Sequence, residues 1–217
     1  MKRFCYHSAG EPPRDGTAAL TPLAQLPEPF DHPQWIFEPK LDGFRALAYA
    51  EEGKVRLVSR NGNTFKSFPD LCAALAACIE AESAVLHGEI VFLGKDGRPE
   101  FYNLMRRRSP QYFYGFDVLW LDRKDLRMLP LVERKKILRR VVPMQPAPLL
   151  YVDFVEARGV DFFRAVCGLD MEGVVAKLKD GLYTPEETSW IKVKNRAYSQ
   201  AEGRHDFFDQ RRRAVGA

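Results

Sequence analysis

The sequence predicts an α+β protein in which short strands outnumber helices. Between Trp35 and Val58, apolar runs broken by turn residues predict three successive strands. The apolar stretches 84–93 and 112–122 predict two further strands. Helices are predicted from Pro69, which opens a run of apolar residues at helical spacing, and from Pro130 to about residue 142. At 217 residues the chain suits one large domain or two small ones.

Two later segments extend the same pattern. Residues 149–155 predict a strand, and residues 160–169 predict a short helix. Along 112–122, strict alternation of side chains across a strand predicts one face formed by Tyr112, Tyr114, Phe116, Val118 and Trp120 and an opposite face formed by Phe113, Asp117, Leu119 and Leu121.

The charge balance is mildly basic, with 33 Lys and Arg against 29 Asp and Glu and a formal net charge of +4. Such a charge permits a polyanionic partner without requiring one, so the distribution of charge matters more than its sum. Basic clusters occur at 106–108, 134–140 and 211–213. The cluster at 134–140 falls in a predicted helix and is expected on its solvated face.

The cysteines and the hydropathy pattern point to the cell interior. The four cysteines form no C-x-x-C pair and have no histidine at zinc-like spacing, which favours reduced, mostly buried thiols. No apolar run approaches the ~20 residues of a membrane span, and the N-terminus lacks the apolar block of a signal peptide. We therefore expect a soluble cytoplasmic protein with no membrane partner.

The stretch from Glu38 to Arg45 reads Glu-Pro-Lys-Leu-Asp-Gly-Phe-Arg and lies between two predicted strands. Lys40 is thus at a strand-to-loop junction, where a side chain can face a cleft. A lysine amine has an ordinary pKa of about 10.4 and is a poor nucleophile while protonated, so a reactive lysine needs burial or cationic neighbours. Arg45 offers a planar fork for phosphate oxygens, and Gly43 lets the backbone approach a ligand. Taken alone, the stretch is equally compatible with a surface Lys-Asp turn.

This stretch resembles the K-x-D-G-x-R signature of the covalent nucleotidyltransferases, the family of ATP-dependent DNA ligases, RNA ligases and mRNA capping enzymes. The resemblance implies that Lys40 attacks the α-phosphate of ATP, takes up AMP covalently and releases pyrophosphate. It also implies that Glu38 and Arg45 bind the nucleotide.

Three further segments resemble ligase motifs. Ser-Arg-Asn-Gly at 59–62, followed by Phe-Pro, resembles the second motif of bacterial ATP-dependent DNA ligases and implies that Arg60 contacts AMP or the 5′-phosphate of a nick. Gly-Glu-Ile-Val at 88–91 resembles the third motif and makes Glu89 the candidate for ribose contact and metal binding; ligases usually have Asp where this chain has His87. Phe116 takes the position of the aromatic residue that stacks on the purine.

The last two motifs lie near the end of the chain. Glu-Gly-Val-Val-Ala-Lys at 172–177 resembles the fourth motif, which implies that Glu172 holds a divalent cation and that Lys177 faces the phosphates. Strict alternation would put these two side chains on opposite faces, so we expect Glu172 at a strand entrance or a bulge. Trp-Ile-Lys-Val-Lys at 190–194 resembles the last motif, in which Lys192 and Lys194 share a face and converge on the polyphosphate as catalytic cations.

Together the motifs occur in ligase order and cover about residues 35–195. The resemblance implies the nucleotidyltransferase (adenylation) domain fold over residues 34–196, with antiparallel β-sheets flanked by helices around a nucleotide cleft. Residues 1–33 are rich in Pro, Gly and charge and predict a poorly ordered N-terminal arm. DNA ligases carry an OB-fold domain after the last motif; residues 197–217 are too few for that barrel and predict a basic tail.

A minimal ATP-dependent DNA ligase core, acting in DNA repair, is the function that the resemblance implies. Mg²⁺ or Mn²⁺ held by Glu89 and Glu172 would offset phosphate charge. Nicked double-stranded DNA is the implied partner, with contacts expected from Arg45, Arg60, Arg106, Arg107, Arg108, Arg211, Arg212 and Arg213. We expect slow adenylation and weak, salt-sensitive DNA binding unless a protein partner supplies the missing OB-fold.

Two other hypotheses stay open. An RNA ligase or RNA end-modifying nucleotidyltransferase would use the same chemistry, and preferential sealing of all-RNA nicks would favour it. A non-catalytic module that binds nucleotide or nucleic acid is suggested by His87 and by the missing domain. A Lys40→Ala variant with unchanged adenylation and sealing would favour that module.

Overall fold

The computed structural model of this chain describes residues 23–144, 147–184 and 189–201. Within these ranges the chain forms two β-sheets. The strands are β1 (Ala24–Leu26), β2 (His32–Pro39), β3 (Phe44–Glu51), β4 (Lys54–Ser59), β5 (Ser83–Phe92), β6 (Gln111–Leu121), β7 (Lys124–Asp125), β8 (Leu149–Tyr151), β9 (Val155–Ala157), β10 (Gly173–Leu178) and β11 (Trp190–Lys194). The helices are α1 (Pro69–Cys78), α2 (Phe101–Met105), α3 (Leu131–Val141) and α4 (Gly159–Gly168), and Ser199–Ala201 forms a 3₁₀ helix.

The first sheet has five strands in the order β1-β11-β10-β2-β9. Strand β1 runs parallel to β11, and the other described pairings in this sheet are antiparallel. Helix α4 packs on one face of the sheet, where Val166 contacts Val174 and Val193 in a small apolar cluster. The opposite face carries Val175 and Trp190 and looks toward the second sheet.

The second sheet has six strands, in the order β4-β3-β5-β6-β7, with β8 running parallel beside β6. Helices α1 and α3 cover its outer face, where Leu75 and Leu138 join an apolar cluster that we call the outer core. Its inner face packs against the first sheet through a second cluster, the inner core, to which Phe116 and Trp190 contribute from opposite sheets. The two sheets therefore enclose a cleft, and residues 40–43 form the link that crosses from β2 to β3.

The predicted fold class is confirmed, and so are the main helices. Helix α1 begins at Pro69, where the missing amide hydrogen of proline costs nothing because first-turn amides have no partner within the helix. Helix α3 begins at Leu131, one residue after Pro130, and buries Leu131 and Leu138, of which Leu138 belongs to the outer core. In the described part of the chain, no helix is both long and apolar enough to cross a membrane.

The strand β6 does not alternate regularly. Its pairing with β5 shifts register at two places, and the extra residues there are Phe116 and Leu119. As a result Val118 packs in the outer core with Phe113, while Leu119 packs in the inner core with Phe116. The faces predicted for Val118 and Leu119 are therefore wrong, because each bulge reverses the alternation that follows it.

The predicted ends of the domain also need correction. Within the arm expected at 1–33, residues 24–26 form β1 and β2 already begins at His32, because the edge of β11 offers backbone partners to β1. At the other end, residues 197–201 do not leave the domain: the Tyr198 side chain is buried and the residues after it form the 3₁₀ helix. The remainder of both predicted tails lies outside the described residues.

Candidate active site

Lys40 lies at the end of β2, in the crossover between the two sheets. Its backbone amide donates to the carbonyl oxygen of Gly173 (2.8 Å), and its Nζ atom donates to Glu172 Oε2 at 2.5 Å. The Lys40 side chain keeps 18% exposure, so the amine is sheltered but reachable. Gly43 is required in this crossover because a Cβ atom there would collide with the carbonyl oxygen of Ile90. This geometry agrees with the sequence prediction that Lys40 faces a cleft.

Glu172 directly precedes β10. It is therefore at the entrance of a strand, one of the two places expected for it from the alternation of side chains along a strand. The next residue, Gly173, has a φ of 137°, and a Cβ atom there would collide with the carbonyl oxygen of Val193. Only glycine tolerates this conformation and this close approach. The Asn195 amide donates to the carbonyl oxygen of Glu172 at 2.9 Å and fixes the backbone from the other side. The carboxylate of Glu172 is therefore held beside Lys40.

Both sheets contribute side chains to the pocket in front of Lys40. The five-stranded sheet and its loops supply Leu23, Glu38, Lys40, Val175, Lys177 and Trp190, and the six-stranded sheet supplies Arg45, Glu89 and Phe116. Seven of the residues predicted from the sequence thus meet in or beside one cleft, although they come from widely separated segments. One end of this pocket is ionic, around Lys40 and Glu89, and the other is aromatic, around Phe116 and Trp190.

Glu89 is paired across strands with Arg45 at the ionic end. Burial raises the pKa of the Glu89 carboxyl to about 8, although the positive charges of Lys40 and Arg45 oppose this shift; the negative charge of Glu172 adds to it. Burial also lowers the pKa of Arg45. The raised pKa favours a protonated Glu89 at neutral pH, and a cation bound beside it would favour its ionised form.

We expect a Glu89→Gln variant to remove a pH-dependent loss of stability. In the wild type the folded protein binds this proton more tightly than the unfolded chain, so the free energy of unfolding falls as pH rises from about 4.5 to about 8. The variant should match the wild type near pH 4.5 and exceed it above pH 8 by up to a few kcal/mol. Urea unfolding across this range measures the difference; a Glu82→Gln control, at an exposed position, should show no pH-dependent gap.

The aromatic end contains a buried charge cluster. Lys177 Nζ lies 4.2 Å from the ring centre of Phe116 and 4.0 Å from that of Trp190, and forms an ion pair with Glu38 Oε2 at 2.5 Å. Lys135, from α3, pairs with the other oxygen of Glu38 and donates to the carbonyl oxygen of Val152 at 2.9 Å. Burial lowers the pKa of Lys177 to about 8, against the opposing charge of Glu38.

This cluster corrects two sequence predictions. Lys177 does not face the ionic end where Lys40 lies; it is 1% exposed, between two aromatic rings at the end where a purine would stack. Lys135 and Arg134 were expected on a solvated helix face, but both are buried, because each has an acidic partner under the helix. Those partners, Glu38 and Asp117, are distant in sequence, so the helix pattern alone gives no sign of them.

Arg134 and Asp117 form a fully buried, two-pronged ion pair. Arg134 Nε donates to Asp117 Oδ1 at 2.7 Å and Nη2 donates to Oδ2 at 2.9 Å, and both side chains have no exposed surface. Arg134 Nη1 donates to the carbonyl oxygen of Gly181 at 3.1 Å. The pair fixes α3 against the bulged part of β6 and so supports Phe116, the residue before Asp117.

His87 occupies the position at which the resemblance to ligases implies an Asp. Its Nε2 atom lies 3.0 Å from Arg45 Nη2 and its Nδ1 atom 3.2 Å from the Tyr183 hydroxyl. Because a guanidinium can only donate, Nε2 must accept, and the hydrogen of the neutral ring must lie on Nδ1. Burial, and after it the positive charges of Arg45, Lys177 and Arg134, hold the pKa of His87 well below its ordinary value. The substitution thus keeps an acceptor for Arg45 but removes a negative charge beside it.

Other predicted cations lie around the mouth of the cleft. Lys192, half-buried on β11, has a pKa lowered by burial and then by the positive charges of Lys194 and Lys40. Lys194 and Arg60 are exposed, and the charge of Arg60 reaches both Lys192 and Arg45. These residues can meet an anion that extends out of the pocket.

The other residues predicted to contact DNA do not line this pocket, or they lie outside the described residues. Arg106, Arg107 and Arg108 are exposed at the end of α2, on a surface loop that contributes nothing to the pocket lining. Arg211, Arg212 and Arg213 lie outside the described residues.

The carboxylates at the ionic end fit a divalent cation of the magnesium type. In the ranges described, no group of three or more His, Cys, Asp or Glu side chains is arranged as a metal site. Glu89 and Glu172 alone would then be the carboxylate ligands. That donor set is the one Mg²⁺ uses when phosphate oxygens and water complete its coordination. Such an ion would also favour ionised Glu89 at neutral pH.

Comparison with known proteins agrees with this arrangement. The family model described as "ATP dependent DNA ligase domain" matches residues 19–194, well over half of the chain. The chain belongs to this family. The match begins before β1 and ends at Lys194, so it includes every motif residue of the pocket.

Relatives within the family are DNA ligases. The chain is 36% identical over 165 residues to the "Multifunctional non-homologous end joining protein LigD" of Mycolicibacterium smegmatis. The matched region covers 74% of this chain and 21% of that protein. The solved ligase domain of M. tuberculosis LigD superposes with a TM-score of 0.69 at 30% identity, covering 81% of this chain and 59% of the other. A mycobacterial DNA ligase D complexed with ATP gives a TM-score of 0.67 at 30% identity, with 81% and 60% covered. The chain thus spans about a fifth of the LigD protein and three fifths of its solved ligase domain.

Sequence reasoning missed several residues that shape the pocket. Lys135, Asp117 and Tyr183 belong to no motif, and each acts through a contact to a residue far along the chain. The one available signal was compositional: an Asp in the apolar run 112–122 and a Lys next to an Arg on the apolar side of a helix each require a buried partner.

Proposed function

We propose that this chain is the catalytic core of an ATP-dependent DNA ligase that forms a lysyl-AMP intermediate on Lys40. The observation that carries the proposal is the Lys40 amine 2.5 Å from Glu172 Oε2, at the ionic end of a pocket whose other end is aromatic. This arrangement suits a nucleotide, since the purine needs a flat apolar wall and the phosphates need cations.

The chemistry proceeds in three displacements. Lys40 Nζ passes a proton to Glu172 and attacks the α-phosphorus of ATP, so that an N–P bond forms while the bond to pyrophosphate breaks. The 5′-phosphate of a nick then attacks the same phosphorus and releases Lys40. Finally the 3′-hydroxyl attacks the 5′-phosphorus, the new phosphodiester forms and AMP leaves. In each step negative charge develops on phosphate oxygens, and nearby cations must stabilise that charge.

Each surrounding residue has a proposed role that follows from its position in the pocket. Phe116 and Trp190 would hold the purine, and Glu38 with Lys177 would meet its polar edge. Arg45, Lys192 and Lys194 would meet the phosphates, and Arg60 would meet AMP or the nick. A Mg²⁺ or Mn²⁺ ion on Glu89 and Glu172 would offset phosphate charge.

Incubation with ATP and Mg²⁺ or Mn²⁺ followed by intact-protein mass spectrometry tests the proposal. The wild type should gain one AMP, and EDTA should prevent the gain. GTP at the same concentration shows whether the pocket selects the purine. No gain with any nucleotide, together with failure to seal a pre-adenylated nick, would contradict the proposal and favour a non-catalytic binding module.

We expect the first displacement to be the slow one. Lys40 Nζ donates to Glu172 Oε2, so the amine must lose that contact and a proton before it can attack. A pre-adenylated nick bypasses this step and should be sealed at least about tenfold faster than an ordinary nick at saturating ATP, a difference of about 1.4 kcal/mol in barrier. Equal rates would contradict this expectation, and faster sealing of an all-RNA nick would favour the RNA ligase hypothesis.

A further inference from the structure

The segment that follows β11 is tied to both sides of the pocket. Asn195 donates from its backbone to the carbonyl oxygen of Glu172 and from Nδ2 to that of Met171 (3.0 Å). Ser199 bonds Asp170 through both its amide (3.0 Å) and its hydroxyl (2.5 Å). We call residues 195–201 the strap. It leads away from the last motif, yet it packs back on the segment that presents Glu172.

One strap residue reaches the loop of the nucleophile. The Tyr198 hydroxyl donates to Asp42 Oδ2 at 2.8 Å, and both residues are buried, with 5% and 4% of their surfaces exposed. Asp42 stands two residues after Lys40 in the crossover between the sheets. Burial is the main cause that raises the pKa of Tyr198, and the negative charges of Glu172 and Asp170 add to it, so the hydroxyl remains a donor at any physiological pH.

The strap is anchored at its far end as well. Gln200 donates from Nε2 to the carbonyl oxygen of Pro99 (2.9 Å), and its Oε1 atom accepts from the Phe101 amide at 2.9 Å. Pro99 and Phe101 flank the start of α2, which packs against β5, the strand of Glu89. Tyr198 thus lies between two anchored points, one on the segment that leads into β10 and one at the start of α2.

We infer that Tyr198 is a positioning residue for Lys40: its hydroxyl fixes Asp42 and thereby the crossover that aims the Lys40 amine into the cleft. The inference rests on the proposed function for its kinetic consequence, although the positional claim does not depend on it. A hydrogen bond from a neutral donor to a buried carboxylate is among the stronger kinds. The crossover is also held by the bond from the Lys40 amide to Gly173 and by the tight fit of Gly43 against Ile90, and the bond from Tyr198 adds a fixed point at Asp42, between them.

The Tyr198→Phe variant removes only the hydroxyl. We expect the first-order rate of AMP transfer to Lys40 at saturating ATP to fall about tenfold, while the ATP concentration for half-maximal rate changes less than about twofold. In an Asp42→Ala background, the same substitution should have almost no further effect, because the two residues act as one unit. Ser199→Ala is the matched control: it removes a hydroxyl from the next residue but keeps the bond from the Ser199 amide to Asp170 and the bonds of Asn195 and Gln200, so the strap stays anchored and AMP transfer should proceed at the wild-type rate.

Hydrogen exchange provides a readout without nucleotide. The Lys40 amide, which donates to Gly173, should exchange about tenfold faster in Tyr198→Phe than in the wild type or in Ser199→Ala. Unchanged exchange, an unchanged rate, or additive effects with Asp42→Ala would overturn the inference. A wild type that takes up no AMP but whose Lys40 amide responds to Tyr198→Phe would overturn the proposed function and leave the positional claim intact.

Discussion

A Lys40→Ala variant is expected to lose transfer of AMP from ATP by at least about 10³-fold, because a covalent step cannot proceed without its nucleophile. Lys192 and Lys194 lie on β11, across from the crossover, and we expect neither to replace Lys40. Intact mass after incubation with ATP and Mg²⁺ measures the loss. Where the wild type gains AMP, its linkage should be labile to acid, as a phosphoramide is. AMP gain in Lys40→Ala would show that another residue is the nucleophile.

A Lys40→Arg variant separates chemistry from structure. Arginine keeps a positive charge beside Glu172 but stays protonated throughout the accessible pH range, so it cannot attack phosphorus. We expect it to be as inactive as Lys40→Ala in AMP transfer and on ordinary nicks, while its melting temperature stays closer to that of the wild type. Both variants should still seal a pre-adenylated nick, because that step does not use the Lys40 amine as a nucleophile. Loss of this activity in both would indicate that Lys40 also binds the adenylated DNA.

An Arg134→Leu variant is expected to be strongly destabilised although Arg134 does not line the pocket. The change leaves the Asp117 carboxylate buried with its main partner removed, and removal of one member of a buried pair costs about 3–5 kcal/mol. For a chain of this size the melting temperature should fall by roughly 10 °C. Thermal unfolding followed by circular dichroism measures the change.

Two controls make the Arg134 prediction specific. Lys136→Leu removes the same charge from the same helix at a position where the side chain is 66% exposed and pairs with Glu133, so it should change stability by less than about 1 kcal/mol. The double variant Arg134→Leu with Asp117→Leu should be less destabilised than Arg134→Leu alone, because no buried charge is left unpaired. A double variant that is worse than the single would show that packing, not charge, dominates at this position.

Much of the candidate site was predictable because its residues are set by local rules. Lys40 had to lie in a crossover because a strand ends at Pro39 and another begins at Phe44, with a glycine between them. Glu172 had to leave the alternation of β10, and its position before Gly173 satisfies that requirement. These inferences need only the periodicity of a strand and the special freedom of glycine.

The errors share one physical origin, which is a partner distant in sequence. Lys135 looks like any other charge on a basic helix until Glu38, 97 residues away, lies beneath it. Tyr198 looks like part of a tail until Asp42, 156 residues away, accepts its hydroxyl. The bulges of β6 lie in its pairing with β5, at places where the paired residues of β5 are more than 20 positions earlier in the chain. Periodicity cannot report such contacts, although a charge inside an apolar pattern signals that one must exist.

The division of the pocket between two sheets has a thermodynamic consequence. Lys40 and Glu172 belong to one hydrogen-bonded sheet with its loops, whereas Arg45 and Glu89 belong to the other, so a nucleotide between them would act as a clamp. The stabilisation that it confers on the folded protein, about 2.7 kcal/mol at a hundredfold excess over Kd, would act on the contact between the sheets and not on either sheet alone. Separation of the sheets and release of the nucleotide would then be one cooperative event.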